Sequence, residues 1–218
     1  MRQLEEAKLP QKDLTVLTLD EPGVTDFAAA RNKLLTTVKT PWVFFLDKDE
    51  TLTPALEREI DKAIHGRSPK DAYLVRRLDT FLGRELHHGE TGAVTLLRLA
   101  RAGWGRWERP VHEVWTPLGP EVQIGLLKNP LLHAPHPTIT SFLDKINHYS
   151  TLEAKYRHKL GRKSSLFHIA IFPFAKFLQN YFLRLGFLDG TPGFIMAVMM
   201  GFHSYLTWTK LYLLWHKK

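Results

Sequence analysis

The chain has 218 residues, 44% of them hydrophobic, which is enough for one large domain or for one domain with an appendage. It contains no cysteine, and that excludes disulfides and thiolate metal centres. The net charge of +8 is uneven: residues 1–150 carry 20 Lys/Arg and 20 Asp/Glu, while residues 151–218 carry 10 and 2, so the whole excess lies in a tail rich in Phe, Leu, Tyr and Trp. A segment both basic and strongly apolar suits an anionic membrane surface better than nucleic acid.

The opening "MRQLEEAKLPQKD" is polar and does not read as a signal peptide. "DLTVLTL" (13–19) alternates and is β-branched, so a strand is predicted. "DFAAARNKLLTTVKT" (26–40) predicts a helix capped by Asp26 and ended at Thr40-Pro41. "WVFFLD" (42–47) is a continuous apolar run, as expected of a strand covered on both faces. Residues 53–66 predict a helix with Thr53 as cap, Pro54 at its first position and Gly66 as stop; Leu56, Ile60 and Ile64 fall on one face. Residues 72–83 and 94–100 predict two more strands, and the order so far points to an α/β fold.

Residues 103–120 are rich in Gly, Pro and Trp and read as loop with short strand. A strand is predicted over 121–127 and a long helix over 138–161, closed by Gly161. Helical stretches follow over 165–186 and 194–218, separated by the break "FLDGTPG" (187–193). Residues 190–209 contain no Asp, Glu, Lys or Arg and are 20 residues long, enough to span a bilayer. The Gly, Pro, Ser and His within them favour helices lying in the interface, with Trp208, Tyr212 and Trp215 at headgroup depth. The competing reading is helices that fold back on the domain or join a homodimer.

"VFFLDKDE" (43–50) sets Asp47, Asp49 and Glu50 at the end of the buried strand. Carboxylates so close repel one another, and a shared cation removes the repulsion. The alternative is a solvated acidic turn.

Taken in order, "DFAAARN", "PWVFFLDKDETLTPAL", "FLGRELHHGE", "LLRLARAG", "VHE", "LLH", "FLDKINHYS" and "LDGTPGF" resemble the family-2 glycosyltransferases, in the branch of bacterial enzymes that build lipopolysaccharide core and related glycans. The likeness covers most of residues 14–218. It implies a GT-A-like (Rossmann-like) α/β fold, with a mixed sheet flanked by helices over residues 1–137 and a helical, amphipathic, basic C-terminal region over 138–218. It also implies a nucleotide-sugar donor, Mn²⁺ or Mg²⁺, a glycan or lipid-linked acceptor and inversion at the anomeric carbon, with no nucleic-acid partner. The matching location is cytoplasmic, peripheral at the inner face of the cell membrane.

The same resemblance assigns roles. "DKD" sits at the family's Asp-x-Asp position, with Asp49 on the metal and Asp47 on the ribose or a metal-bound water. Arg31 faces the nucleotide, or is an ordinary helix-surface arginine. Glu113 falls in the region of the general base, which inversion needs to take the acceptor's proton; His112 neighbours it. His133 is placed near the metal or pyrophosphate, although a lone histidine after an apolar strand is commonly structural. Arg84, His87 and His88 are weaker candidates for acceptor or donor phosphate. Trp104, Trp107 and Trp115 either stack on sugar rings or form a small core.

Relative to the family pattern, the first strand and the "D-x-S-T-D" strand that hold the base have no counterpart, so an apolar sheet edge is expected beside "WVFFL". Two other functions compete. "FFLDKDETLT" also fits the haloacid-dehalogenase-like phosphatases, with Asp47 as nucleophile and Asp49 as acid/base. An inactive, truncated, membrane-associated binding protein is the other.

Overall fold

A computed structural model describes residues 12–19, 24–92, 94–110 and 113–216. Strands and helices in chain order are β1 (Leu14–Leu17), α1 (Phe27–Leu35), β2 (Trp42–Phe45), β3 (Glu50–Thr51), α2 (Pro54–Ile64), β4 (Ala72–Phe81), β5 (Arg84–Leu86), β6 (Thr95–Arg101), β7 (Gly105–Glu108), β8 (Val114–Pro117), β9 (Ile124–His136), α3 (Ile139–Lys159), α4 (Leu166–Leu178) and α5 (Gly190–His216). The fold is α/β, built on a mixed sheet in the order β1-β2-β6-β4-β9-β3, with β5 pairing β4; β7 and β8 form a separate ribbon.

The described residues fall into two compact units. One holds those up to Arg77 together with Val94–His133; the other holds those of 78–93 together with those from Ala134 onward.

In the first unit, β2 explains its own composition. Successive side chains of a strand point to opposite faces. Trp42 and Phe44 enter a core with Leu56, Ile60 and Ile64 of α2. Val43 and Phe45 enter a second core with Ala28 of α1 and the tryptophans 104, 107 and 115. All four β2 side chains are buried, and full burial of each contributes about 1.5–3 kcal/mol. Each helix starts as its sequence dictates: Asp26 Oδ1 accepts from Ala29 N at 2.9 Å, and Thr53 Oγ1 from Leu56 N at 3.1 Å with Pro54 next.

β2 has both neighbours filled, with no apolar gap beside it. β1 runs parallel to it, Leu14 opposite Trp42, and β6 runs antiparallel, Phe44 opposite Leu99. β9 is longer than predicted and passes straight through Pro130. Helix α1 stops at Leu35, five residues early, where Thr36 and Thr37 turn their hydroxyls back onto the carbonyls of Lys33 and Leu34.

Asn32 joins α1 to the β7–β8 ribbon. Its amide donates to Trp107 O and accepts from Trp107 N, both at 2.8 Å, as a neighbouring strand would. Removing both bonds leaves two half-buried backbone groups unpaired, so Asn32→Ala is expected to cost about 2 kcal/mol in urea unfolding; a loss under roughly 0.5 kcal/mol would show that water replaces the side chain.

The second unit has its own core of Phe81, Leu86, Phe142, Ile146, Met196 and Met199. Leu82 and Gly83, with φ of 51° and 75°, make the two-residue turn between β4 and β5. Helix α3 opens on a capping box formed by Thr138 and Ser141. α4 continues through a π-helical turn over Gln179–Leu183, and a 3₁₀ turn over Gly186–Asp189 leads into α5. Gly193 is obligatory there, because a Cβ would meet the Gly186 carbonyl oxygen at 2.0 Å.

Candidate functional site

All the groups of the candidate site belong to the first unit. β2 ends at Phe45, and the chain turns through Asp47–Glu50 into β3. Glu50 locks this turn: its Oε2 accepts from Asp47 N at 2.9 Å, and its own N donates to Asp47 O at 2.9 Å. The Glu50 side chain is fully buried.

Two guanidiniums answer the question of why acids gather here. Arg98 of β6 donates through Nη2 to Asp47 Oδ2 and to Glu50 Oε1, both at 2.6 Å. Arg31 of α1 donates through Nη2 to Asp47 Oδ1 at 2.6 Å and through Nε to Glu113 Oε1 at 3.1 Å. Both arginine side chains are only 5% exposed. Burial alone would raise the Asp47 pKa, but the charges and hydrogen bonds of Arg98 and Arg31 outweigh it and hold it below its ordinary value. Asp47 is therefore ionised at neutral pH.

Arg31 is a buried group rather than a helix-surface arginine. Its guanidinium lies 4.8 Å from the Trp107 ring centre and 5.3 Å from that of Phe45. The three tryptophans 104, 107 and 115 are core residues, with Trp107 stacked on Trp115 at 5.3 Å; their burial removes them as sugar-stacking platforms. Trp107 instead supports the arginine that organises Asp47 and Glu113.

His133 reaches the same turn through β9. The β3–β9 pairing sets Glu50 opposite His133, and His133 Nε2 lies 3.5 Å from Asp49 Oδ1. Pro130 hid this in the sequence, because a proline suggests that a strand has ended. Among the described residues no group of three or more His, Asp or Glu is arranged as a complete metal cage. Asp49 and His133 form a two-donor edge, and a divalent ion that bridges to substrate phosphates needs only one or two protein ligands. Asp49 and His133 are the two groups such an ion would meet, because Asp47, Glu50 and Glu113 are already engaged by Arg31 and Arg98.

Arg84 and His88 lie in the second unit. Arg84 opens β5 and is exposed. His88 is held by Asp189, which accepts from His88 N at 2.9 Å and sits 2.7 Å from His88 Nδ1, so this pair braces the "LDG" turn. His112 lies outside the described residues. Arg98 and the locking role of Glu50 escaped the sequence reading. The signal was present: Arg98 is the one charge inside "VTLLRLA", and a charged residue in a buried run requires a partner of opposite sign.

No family model matches the chain. It is 28% identical over 189 residues to the lipopolysaccharide core biosynthesis glycosyltransferase LpsC of Rhizobium meliloti, covering 85% of this chain and 69% of LpsC. It is 26% identical over 179 residues to proteins of Rickettsia typhi and Rickettsia prowazekii, each named as an uncharacterized glycosyltransferase, covering 78% of this chain and 61% of either relative. The chain thus spans about two thirds of the length of these relatives, and over most of its own length it is similar to bacterial proteins named as glycosyltransferases.

Proposed function

We propose that this protein is an inverting glycosyltransferase of the GT-A type, moving a sugar from a nucleotide-sugar donor to a hydroxyl of a glycan or lipid-linked acceptor in cell-envelope polysaccharide synthesis. The observation that carries the reading is that Arg31 bridges Asp47 and Glu113 while His133 lies 3.5 Å from Asp49, on the same turn as Asp47. The similarity to LpsC supports the reaction class.

In this reading Asp49 and His133 hold Mn²⁺ or Mg²⁺. When bound, that ion offsets charge on the diphosphate leaving group. Asp47 is oriented by two guanidiniums and accepts hydrogen bonds from the donor's ribose. Glu113 takes the proton of the acceptor hydroxyl as its oxygen bonds to the anomeric carbon; the bond from that carbon to the diphosphate oxygen breaks, and the nucleoside diphosphate departs. Arg31 links the donor side to the base by holding Asp47 and Glu113 at once.

A phosphatase built on Asp47 is disfavoured by the same geometry. A nucleophilic carboxylate needs an oxygen directed at phosphorus, whereas both Asp47 oxygens accept from arginine at 2.6 Å.

Calorimetry with UDP, GDP and ADP, with and without Mn²⁺, tests the site. At least one is expected to bind only with Mn²⁺, and Asp49→Ala should remove that binding while leaving the circular dichroism unchanged. Equal binding by Asp49→Ala would remove Asp49 from the site.

A further inference from the structure

Helices of a soluble protein turn polar residues outward. In the second unit α4 and α5 do the reverse. They pack on each other through their inner faces: Phe177 meets Phe194 at 6.0 Å between ring centres, Phe172 meets Trp208 at 5.0 Å, and a Cβ on Gly201 would lie 3.0 Å from the Pro173 carbonyl. What remains outside is apolar. The exposed positions of α4 are Leu166, Phe167, Ala170, Ile171, Phe174 and Ala175, and those of α5 from Phe194 to Tyr205 are Phe194, Val198, Phe202 and Tyr205. At the elbow between the helices Leu183 is 79% exposed and Phe182 52%. Exposed apolar stripes on two helices packed against each other mark an interaction site.

We infer that this face docks in the plane of an anionic lipid surface, with the elbow around Phe182 and Leu183 as its deepest point. Charge selects the occupant. Arg162 and Lys163 before α4 and Arg184 at the elbow are exposed. The two acids after residue 150 are both engaged, Glu153 by Arg157 and Asp189 by His88. The sequence excess of positive charge lies in residues 151–218, and Arg162, Lys163 and Arg184 are the exposed cations flanking α4, as an interfacial helix pair requires on anionic headgroups. A second copy on the same face would set that excess against itself. No single described helix is long and apolar enough to cross a bilayer, and the segments Leu166–Leu183 and Gly186–His216 are bent by 71° at their break. The inference is independent of the transfer chemistry.

The absence of cysteine gives a clean probe, because Leu183→Cys carries a single environment-sensitive fluorophore on the full chain. With vesicles of phosphatidylglycerol and phosphatidylcholine, the label is expected to brighten and shift to the blue, and the unlabelled protein to sediment with the vesicles. Binding should weaken with salt, release in alkaline carbonate, and fall about tenfold or more in the double variant Phe182→Asp/Leu183→Asp. Both positions are exposed, so the variant should keep its melting temperature. Protein that stays in the supernatant at low salt overturns the proposal, as does a stable dimer whose formation dims the probe's response to lipid. Resistance to carbonate also overturns it, in favour of a spanning segment.

Discussion

An Arg98→Met variant is expected to lose about 3–5 kcal/mol of stability, the cost of removing one partner from a buried ion pair. Glu50 has no exposed side-chain surface, and Arg98 Nη2 holds both it and Asp47 at 2.6 Å. Without the guanidinium, two carboxylates face each other at the end of β2 with Arg31 alone to offset them. In a chain of this size the loss lowers the melting temperature by roughly 6–20 °C. Adding Glu50→Gln should recover part of it, because the second change removes the stranded charge. A melting temperature within about 2 °C of the parent would contradict the assignment of Arg98 as the counter-charge of this turn.

Glu113→Gln is expected to reduce turnover by about 10²-fold or more, the usual scale for a lost general base, with donor affinity unchanged. The substitution is a discriminating one: glutamine keeps an oxygen that can accept from Arg31 Nε, so the scaffold survives while the proton acceptor is lost. Arg31→Lys should lower turnover and also weaken donor binding, because one ammonium cannot reproduce the two-sided hold on Asp47 and Glu113. If turnover of Glu113→Gln stays within about threefold of the parent, the base lies elsewhere. Two further glutamates, Glu108 and Glu90, are ion-paired with Arg106 and Lys176.

The parts of this fold that follow local rules were legible in the sequence. The caps Asp26 and Thr53 start their helices as expected, and "WVFF" is buried on both faces. The "DKDE" acids were recognisable because three carboxylates directly after a buried strand need a cause. What could not be read depends on pairing between distant segments. The antiparallel β2–β6 partnership, which delivers Arg98, has no local signature. The β3–β9 pairing is two residues long on the β3 side and reaches beyond a proline, yet it sets His133 beside Asp49. The tryptophans were ambiguous for a similar reason: a Gly- and Pro-rich stretch looks like loop until β7 and β8 close it into a ribbon over Phe45. The outward apolar faces of α4 and α5 were visible as composition, but which stripe points outward depends on the packing of Gly201 against Pro173.

The proposed metal–diphosphate site in the turn after β2 is open to anomalous diffraction. In crystals soaked with Mn²⁺ and the nucleoside diphosphate that binds best, one anomalous peak is expected in bonding contact with an Asp49 oxygen and the imidazole of His133. The diphosphate should lie against it, and Asp47 should still be held between Arg31 and Arg98. Manganese bound elsewhere in the first unit, or a diphosphate bound with no peak at Asp49, would contradict it.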